Sequence, residues 1–329
     1  MFLTDATVLD YLHARGFVGL DAVTSGQYAV RNLSRRNRNF RVSTGTTELL
    51  VKQARQWTVS GRTTIEREAA LCRRAHLENG FEPLRRLVPA PYSYDPGHSI
   101  LIFEFLPGRS ALFDSPHRFS PLAARRVAAA MSGFHRDMAN PEFAKSFPGE
   151  RPGVLSIHRW DPEDASDRSA GQREFVRLVR RHAGFADALD ALRGAWSPST
   201  LIHGDWKLEN CLISDESQEI HVIDWELAAW GDPLWDAGTV LQSWWNFWVR
   251  RPEQHDLEAI RPALRAFLDA YGAAVPRVVG FAAARMLQSA WEALQKSEQV
   301  YGEAARLAQA SLHILTKPDW AREQLLGHD

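Results

Sequence analysis

His203-Gly204-Asp205-Trp206-Lys207-Leu208-Glu209-Asn210, followed by Val222-Ile223-Asp224-Trp225-Glu226, is the stretch on which the reading of this chain turns. Apolar residues lead into each part, Leu201-Ile202 into the first and Ile220 to Ile223 into the second. They predict short strands that end where the polar groups begin. A carboxylate on a loop after a strand, as at Asp205, can accept a hydrogen bond from an attacking hydroxyl and take its proton. Asn210 offers a neutral oxygen and Asp224 a charged one, both hard donors suited to Mg²⁺. Lys207, close after Asp205, can place an ammonium near a transferring phosphate. Taken singly, Asp and Asn are ordinary turn or cap residues, and His-Gly-Asp can be a tight turn. Their joint spacing predicts phosphoryl transfer to a hydroxyl from a magnesium-bound nucleotide triphosphate.

The rest of the chain sets the frame. Its 329 residues are enough for two lobes around a cleft. A net charge of −1 provides no broad field for nucleic acid or an anionic membrane, so neither is expected as a partner. Apolar runs stay far below the ~18 residues of a membrane span. Met1-Phe2-Leu3-Thr4-Asp5 lacks the basic and apolar regions of a secretion signal. Cys72 and Cys211 are the only cysteines and have no zinc-type spacing, which fits a reducing cytoplasm. Tryptophan is abundant at 12 residues, with Trp225, Trp230, Trp235, Trp244, Trp245, Trp248 and Trp291 gathered late in the chain. They fill a helical core or form the aromatic wall of a cleft.

Residues Thr4 to Arg15 show helical spacing, with Val8, Leu9 and Leu12 on one face. Gln27 to Leu33, Asn39 to Ser43 and Glu48 to Gln53 read as strands separated by turns and resemble an antiparallel meander. Thr63 or Thr64 is the expected cap of a helix reaching Glu78. Pro89 to Asp95 and Ser99 to Phe105 read as two further strands, and Leu106-Pro107-Gly108 as a break. Beyond it the pattern is mostly helical: Ser120-Pro121 to Met138, 164–194, Asp232-Pro233 to Val249, 256–272, 276–296 and 302–316. Residues 141–160 read as connection. The expected class is α+β, with lobes at 1–106 and 107–329.

His203-Gly204-Asp205, Asn210 and Ile223-Asp224, with Gly231-Asp232-Pro233-Leu234-Trp235-Asp236 after them, resemble the aminoglycoside phosphotransferase-like branch of the protein-kinase-like fold. The resemblance covers most of the chain. It implies a bilobal kinase, with a small antiparallel-sheet N-terminal lobe and a larger, mostly helical C-terminal lobe. Asp205 would be the catalytic base, Asn210 and Asp224 the metal ligands, and ATP and Mg²⁺ the cofactors. Asp236 would brace the catalytic loop. Lys52, in Leu49-Leu50-Val51-Lys52-Gln53, matches the strand lysine that contacts nucleotide phosphates, and Glu68 the helix glutamate paired with it. Glu66 competes for that place. It lies about 200° away around a helix, so only one of the two can face Lys52. Glu104-Phe105-Leu106 would contact adenine through the backbone.

One departure is visible. The family's glycine-rich turn between the first two strands is replaced by Arg31, Arg35, Arg36, Arg38 and Arg41 among Asn32, Asn37 and Asn39, with no acid from 31 to 46. Either this is a solvated basic turn or Arg38 and Asn39 help cover phosphate oxygens.

The acceptor is read from three clues. Polycationic acceptors need an acidic pocket, and neither 160–194 nor 241–300 is acidic. The form Asp205-x-Lys207-x-Glu209-Asn210 is similar to the catalytic loop of Ser/Thr protein kinases, which gives Lys207 a catalytic role. Leu155-Ser156-Ile157-His158-Arg159, Asn37-Arg38-Asn39-Phe40 and Trp225 to Pro233 resemble kinases associated with class V lanthipeptides and thioamitides. There the kinase phosphorylates Ser or Thr of a ribosomally made precursor peptide, and a separate lyase eliminates the phosphate. The resemblance therefore implies a precursor-peptide substrate and a lyase partner, with His158 and Arg159 as phosphate or acceptor ligands or as loop bridges. A small-molecule kinase acting on an antibiotic or metabolite alcohol is the alternative enzyme. A nucleotide-binding pseudokinase scaffold is the non-catalytic one.

Overall fold

The computed structural model describes residues 1–34, 37–55, 59–106, 109–164, 167–214, 216–250, 257–272 and 275–326. Arg35 and Arg36 of the basic turn, and Pro107-Gly108 of the expected break, lie outside them. The chain forms two compact units. Met1–Ser110 joins Leu212–Ala228 in the first, and Ala111–Cys211 joins Ala229–Asp329 in the second.

The first unit is built on a five-stranded antiparallel sheet. Its strands are β1 (Ala29–Asn32), β2 (Arg38–Ser43), β3 (Glu48–Gln53), β4 (Pro91–Asp95) and β5 (Ile100–Glu104), ordered β1-β2-β3-β5-β4. Successive side chains of a strand leave on opposite faces, and β3 shows the consequence. Leu49 and Val51 enter a core with Phe40, Val42, Ile100, Ile102 and the helix Val8–Ala14. Leu50 packs on the other face, against Ile65, Ala69, Leu101 and Phe103. Lys52 shares that second face by parity, toward the helix Val59–Leu77. That helix starts four residues before Thr63. A threonine is a poor boundary marker because within a helix its hydroxyl can bond to the carbonyl one turn back.

The second unit is mainly helical, with a two-stranded antiparallel ribbon of Thr200–Ile202 and Ala229–Gly231. Ser120 caps the helix Pro121–Asp137. The expected connection at 141–160 contains a short helix, Glu142–Ser146, and a 3-10 helix, Gly153–Arg159. Residues 164–194 resolve into two helices, Ala170–Arg181 and Ala183–Gly194, broken at His182. Pro233–Arg250, Leu257–Tyr271, Val275–Ala293 and Gly302–Thr316 follow, then Pro318–Leu326, which the sequence pattern does not announce. Trp206, Trp235, Trp244 and Trp245 are buried here. These four fill core, each side chain adding on the order of 1.5–3 kcal/mol or more by its burial. Among the described residues no helix is long and apolar enough to cross a membrane.

Candidate active site

Helix Val59–Leu77 presents Ile65, Glu68, Ala69 and Cys72 on one buried face, the i, i+3, i+4, i+7 pattern. A carboxylate in such a stripe requires a partner, and Lys52 is it: Nζ lies 2.6 Å from Glu68 Oε2, with both residues almost fully buried. Glu66 is exposed and borders a separate groove with Arg73 and Tyr92. The competition between the two acids is thereby resolved in favour of Glu68.

Lys52 also meets Asp224, and stands 3.3 Å from Glu226 Oε2. The neighbouring strands Cys211–Ser214 and Ile220–Val222 deliver Asp224. Asp224 sits at φ 70°, in the left-handed region that Asp enters more readily than most side chains. Trp225 N–H donates to Glu68 Oε1 and so anchors the turn. Glu226 accepts a hydrogen bond from Asn37 Nδ2 at 2.8 Å. Three carboxylates thus share one ammonium. Burial alone would lower the Lys52 pKa, but Asp224, Glu68 and Glu226 outweigh it and hold it well above the usual lysine range. Burial pushes the Glu68 carboxyl up to about 7, against the pull of Lys52. Oxygens of Glu68, Asp224 and Glu226 lie within 4.8 Å of one another, so hard donors converge here. That donor chemistry fits a magnesium ion with phosphates.

The remaining predicted residues of the first unit are placed as follows. Asn39 stands opposite Lys52 in the sheet register, and its buried Oδ1 has no hydrogen-bond partner. Arg38 donates to the Leu3 carbonyl at 3.1 Å and covers the Phe2 ring. Glu104 Oε1 accepts from Ala90 N–H at 2.8 Å, Phe105 N–H donates to the Glu48 carbonyl, and Leu106 is buried.

The second unit holds the catalytic-loop candidates. Gly204 adopts φ 83°, a turn conformation that strains any residue with a Cβ. It lets His203 N–H and Gly204 N–H both donate to the fully buried Asp236 carboxylate, at 2.7 and 2.9 Å. His135 Nε2 lies 3.1 Å from the same carboxylate, and its Nδ1 2.9 Å from the Tyr271 hydroxyl. Asp236 therefore ties the loop to two helices. Asp205 follows, with Lys207 Nζ 2.7 Å from Oδ2 and Asn210 Nδ2 3.0 Å from its backbone carbonyl. That bond uses the nitrogen end of the Asn210 amide and leaves Oδ1 as the end a cation would take. Burial would lower the Lys207 pKa, but Asp205 outweighs it and raises it.

Two residues of these surroundings were not singled out from sequence. Glu226 lies within the quoted motif, two positions beyond Asp224. Arg285 comes from the helix Val275–Ala293, and its Nη2 is 2.5 Å from Asp205 Oδ1. The signal for it was a lone charge inside the apolar run Phe281-Ala282-Ala283-Ala284-Arg285-Met286-Leu287. His158 and Arg159 both reach Asp190, at 3.2 and 2.6 Å, and so bridge local elements.

The sequence model of the phosphotransferase enzyme family matches residues 30–287. No curated protein matches the sequence. Among solved structures, the chain is similar to an ethanolamine kinase of Plasmodium vivax. The TM-score is 0.64 at 14% identity, over 97% of this chain and 91% of that one. It is similar to choline kinase of Streptococcus pneumoniae, with TM-score 0.58 at 16% identity over 90% and 96%. Spectinomycin phosphotransferase, solved with ADP and spectinomycin, gives TM-score 0.53 at 14% identity over 91% and 93%. At these identities the structural likeness concerns the fold, which is α+β and kinase-like, as expected.

Proposed function

This chain belongs to the phosphotransferase enzyme family, and on that premise we propose that it uses ATP and Mg²⁺ to phosphorylate Ser or Thr hydroxyls of a ribosomally made precursor peptide. As a family member it is a kinase with a hydroxyl acceptor. The observation that carries the peptide reading is the Lys207 ammonium on the Asp205 carboxylate at 2.7 Å. It gives the loop the Asp-x-Lys form of Ser/Thr protein kinases as a physical contact.

In this reading Asp205 takes the hydroxyl proton as that oxygen bonds to the terminal phosphorus and the bond to the diphosphate leaving group breaks. Lys207 neutralises charge on the transferred group. Asp224 and Asn210 are assigned as magnesium ligands, each on its own surroundings, and the metal supplies charge neutralisation on the phosphates. Lys52, oriented by Glu68, binds the nucleotide phosphates. Arg38, Asn39 and the backbone of Glu104, Phe105 and Leu106 are the remaining nucleotide contacts. A separate lyase would then eliminate phosphate. Cys72 and Cys211 are free and buried, in keeping with a cytoplasmic site of action.

The second reading is a small-molecule kinase. It is favoured by the names of the structural neighbours, which include choline, ethanolamine and spectinomycin kinases. Mass spectrometry separates the two. A Ser/Thr precursor peptide incubated with the enzyme, ATP and Mg²⁺ should gain one phosphate, and lose it with water on adding the lyase. Asp205→Asn should lower the rate at least ~10²-fold. Unmodified peptide together with turnover of a small alcohol would sink the peptide reading. Unchanged turnover in Asp205→Asn would remove the assigned base.

A further inference from the structure

Three donors converge on the buried Asp236 carboxylate, and they fix its state. His203 N–H donates to Oδ2 and Gly204 N–H to Oδ1, and a backbone amide can only donate. Asp236 is therefore the acceptor, so His135 Nε2, 3.1 Å from Oδ2, carries a proton. The loop runs on from this carboxylate to the base: Asp205 N–H donates to His203 Nδ1 at 3.1 Å. All of these links lie out of solvent, with Asp236 and His203 fully buried and His135 6% exposed.

A neutral imidazole has one N–H, and the hydrogen bond made by its other nitrogen decides where that proton sits. The other nitrogen of His135, Nδ1, lies 2.9 Å from the Tyr271 hydroxyl. The same hydroxyl has a second neighbour, the Pro233 carbonyl, at the longer distance of 3.3 Å. The shorter contact is the better hydrogen bond, and it suits a phenol donating to a bare ring nitrogen. Burial, with Asp236 and Asp232 nearby, holds the Tyr271 pKa above the ordinary phenol range, so the hydroxyl keeps the proton it donates. The Tyr271 ring is stacked on Phe267, with centroids 5.8 Å and planes 6° apart. Its helix, Leu257–Tyr271, packs against Pro121–Asp137, which carries His135.

We infer that Tyr271 is a positioning residue of the phosphotransfer site: its hydroxyl donates to His135 Nδ1, holds the imidazole in the Nε2–H tautomer, and through Asp236 keeps the Asp205 loop in shape. The opposite tautomer would turn a bare nitrogen lone pair toward the Asp236 carboxylate. Repulsion there would loosen that carboxylate from the two amides of the turn. The inference rests on Asp205 being the base only where it concerns turnover. The tautomer and the loop amides are read independently of that role.

Tyr271→Phe removes the hydroxyl and keeps the stacked ring. Nitrogen-15 NMR of the wild type, with the signal assigned by its loss in His135→Gln, should show a neutral His135 with its proton on Nε2. In Tyr271→Phe the Nδ1–H form should appear. Hydrogen exchange at His203 and Gly204 N–H should then quicken at least ~10-fold relative to the amides of the helix Gly302–Thr316, about the worth of one charge-assisted hydrogen bond. In ADP release with ATP and Mg²⁺, kcat should fall by a similar factor while KM for ATP stays unchanged. A wild-type His135 protonated on Nδ1, alone or together with Nε2, overturns the inference. So does a Tyr271→Phe variant with an unchanged tautomer, unchanged exchange at the two amides, or unchanged kcat. Exchange that quickens equally in the helix Gly302–Thr316 reports lost stability and overturns it as well. The expected tautomer and exchange in a wild type that releases no ADP on any acceptor would support the Tyr271 link and overturn the kinase reading instead.

Discussion

Lys52 holds together groups that would otherwise repel. Glu68 and Glu226 are buried to 2% and 3% exposure, and Glu68 loses the cation 2.6 Å away if the lysine is removed. Breaking a buried pair on one side costs about 3–5 kcal/mol. Lys52→Met should therefore lower the unfolding free energy by that order at pH 8. The deficit should shrink toward pH 5, because the Glu68 carboxyl, already raised by burial, then protonates. Denaturant melts at both pH values would show it; a deficit independent of pH would mean that the carboxylates are not what the lysine stabilises. Glu68 gives the complementary test. Its pKa is raised from 4.5 to about 7 in the fold. Its contribution to stability is thus fully present below about 4.5 and is lost as pH rises through about 7. In the metal-free protein, carboxyl-carbon NMR should find one group titrating near 7 that vanishes in Glu68→Gln. That variant should also flatten the fall in melting temperature between pH 5 and 7.

At the scale of elements, packing decides where helices can cross. Gly238 lies in Pro233–Arg250, where an added Cβ would meet Ala282 N and Phe281 Cβ, both at 2.8 Å. Both contacts belong to the helix Val275–Ala293. An Ala at this position favours helix by propensity, yet it forces two helices apart at their crossing. Overpacking of this kind costs about 1–3 kcal/mol, so packing wins and Gly238→Ala should lower the melting temperature. It should also lower activity more than a distant surface change, because the second helix carries Arg285. An unchanged melt would mean that the crossing has slack. The strands were legible for a simple reason: in β3 the short apolar run Leu49-Leu50-Val51 lies between two turns, and strand parity then puts Lys52 on the side of Leu50. The helix Glu142–Ser146 and the break at His182 were not, because short helices and helix ends depend on contacts distant in sequence. In the same way Asp205, Lys207 and Asn210 were readable as a local spacing, whereas Arg285 reaches Asp205 from 80 positions away. Such a contact exists only after folding, and a lone charge in an apolar helix is its whole trace in the sequence.

For the whole molecule, ligand linkage separates an enzyme from a scaffold that merely binds nucleotide. A ligand that binds only the folded state adds about 2.7 kcal/mol at 100 times its dissociation constant, which corresponds to roughly 4 °C in the melt of a protein this size. ATP with Mg²⁺ should raise the wild-type melting temperature by that order. Asp205→Asn should keep the shift and lose ADP release, since the base is assigned to the proton and not to the nucleotide. Asp224→Asn should lose the magnesium-dependent part of the shift, because it removes a charged ligand from the three acids that converge beside Lys52. Lys52→Met should lose the part that remains without magnesium, compared with the variant's own unliganded melt. Thermal melts run with ATP alone, Mg²⁺ alone and both would resolve these shares. A wild-type shift without ADP release on any acceptor would support the scaffold. A magnesium-dependent shift undiminished in Asp224→Asn would remove Asp224 from the metal site and pass that role to Glu68 or Glu226.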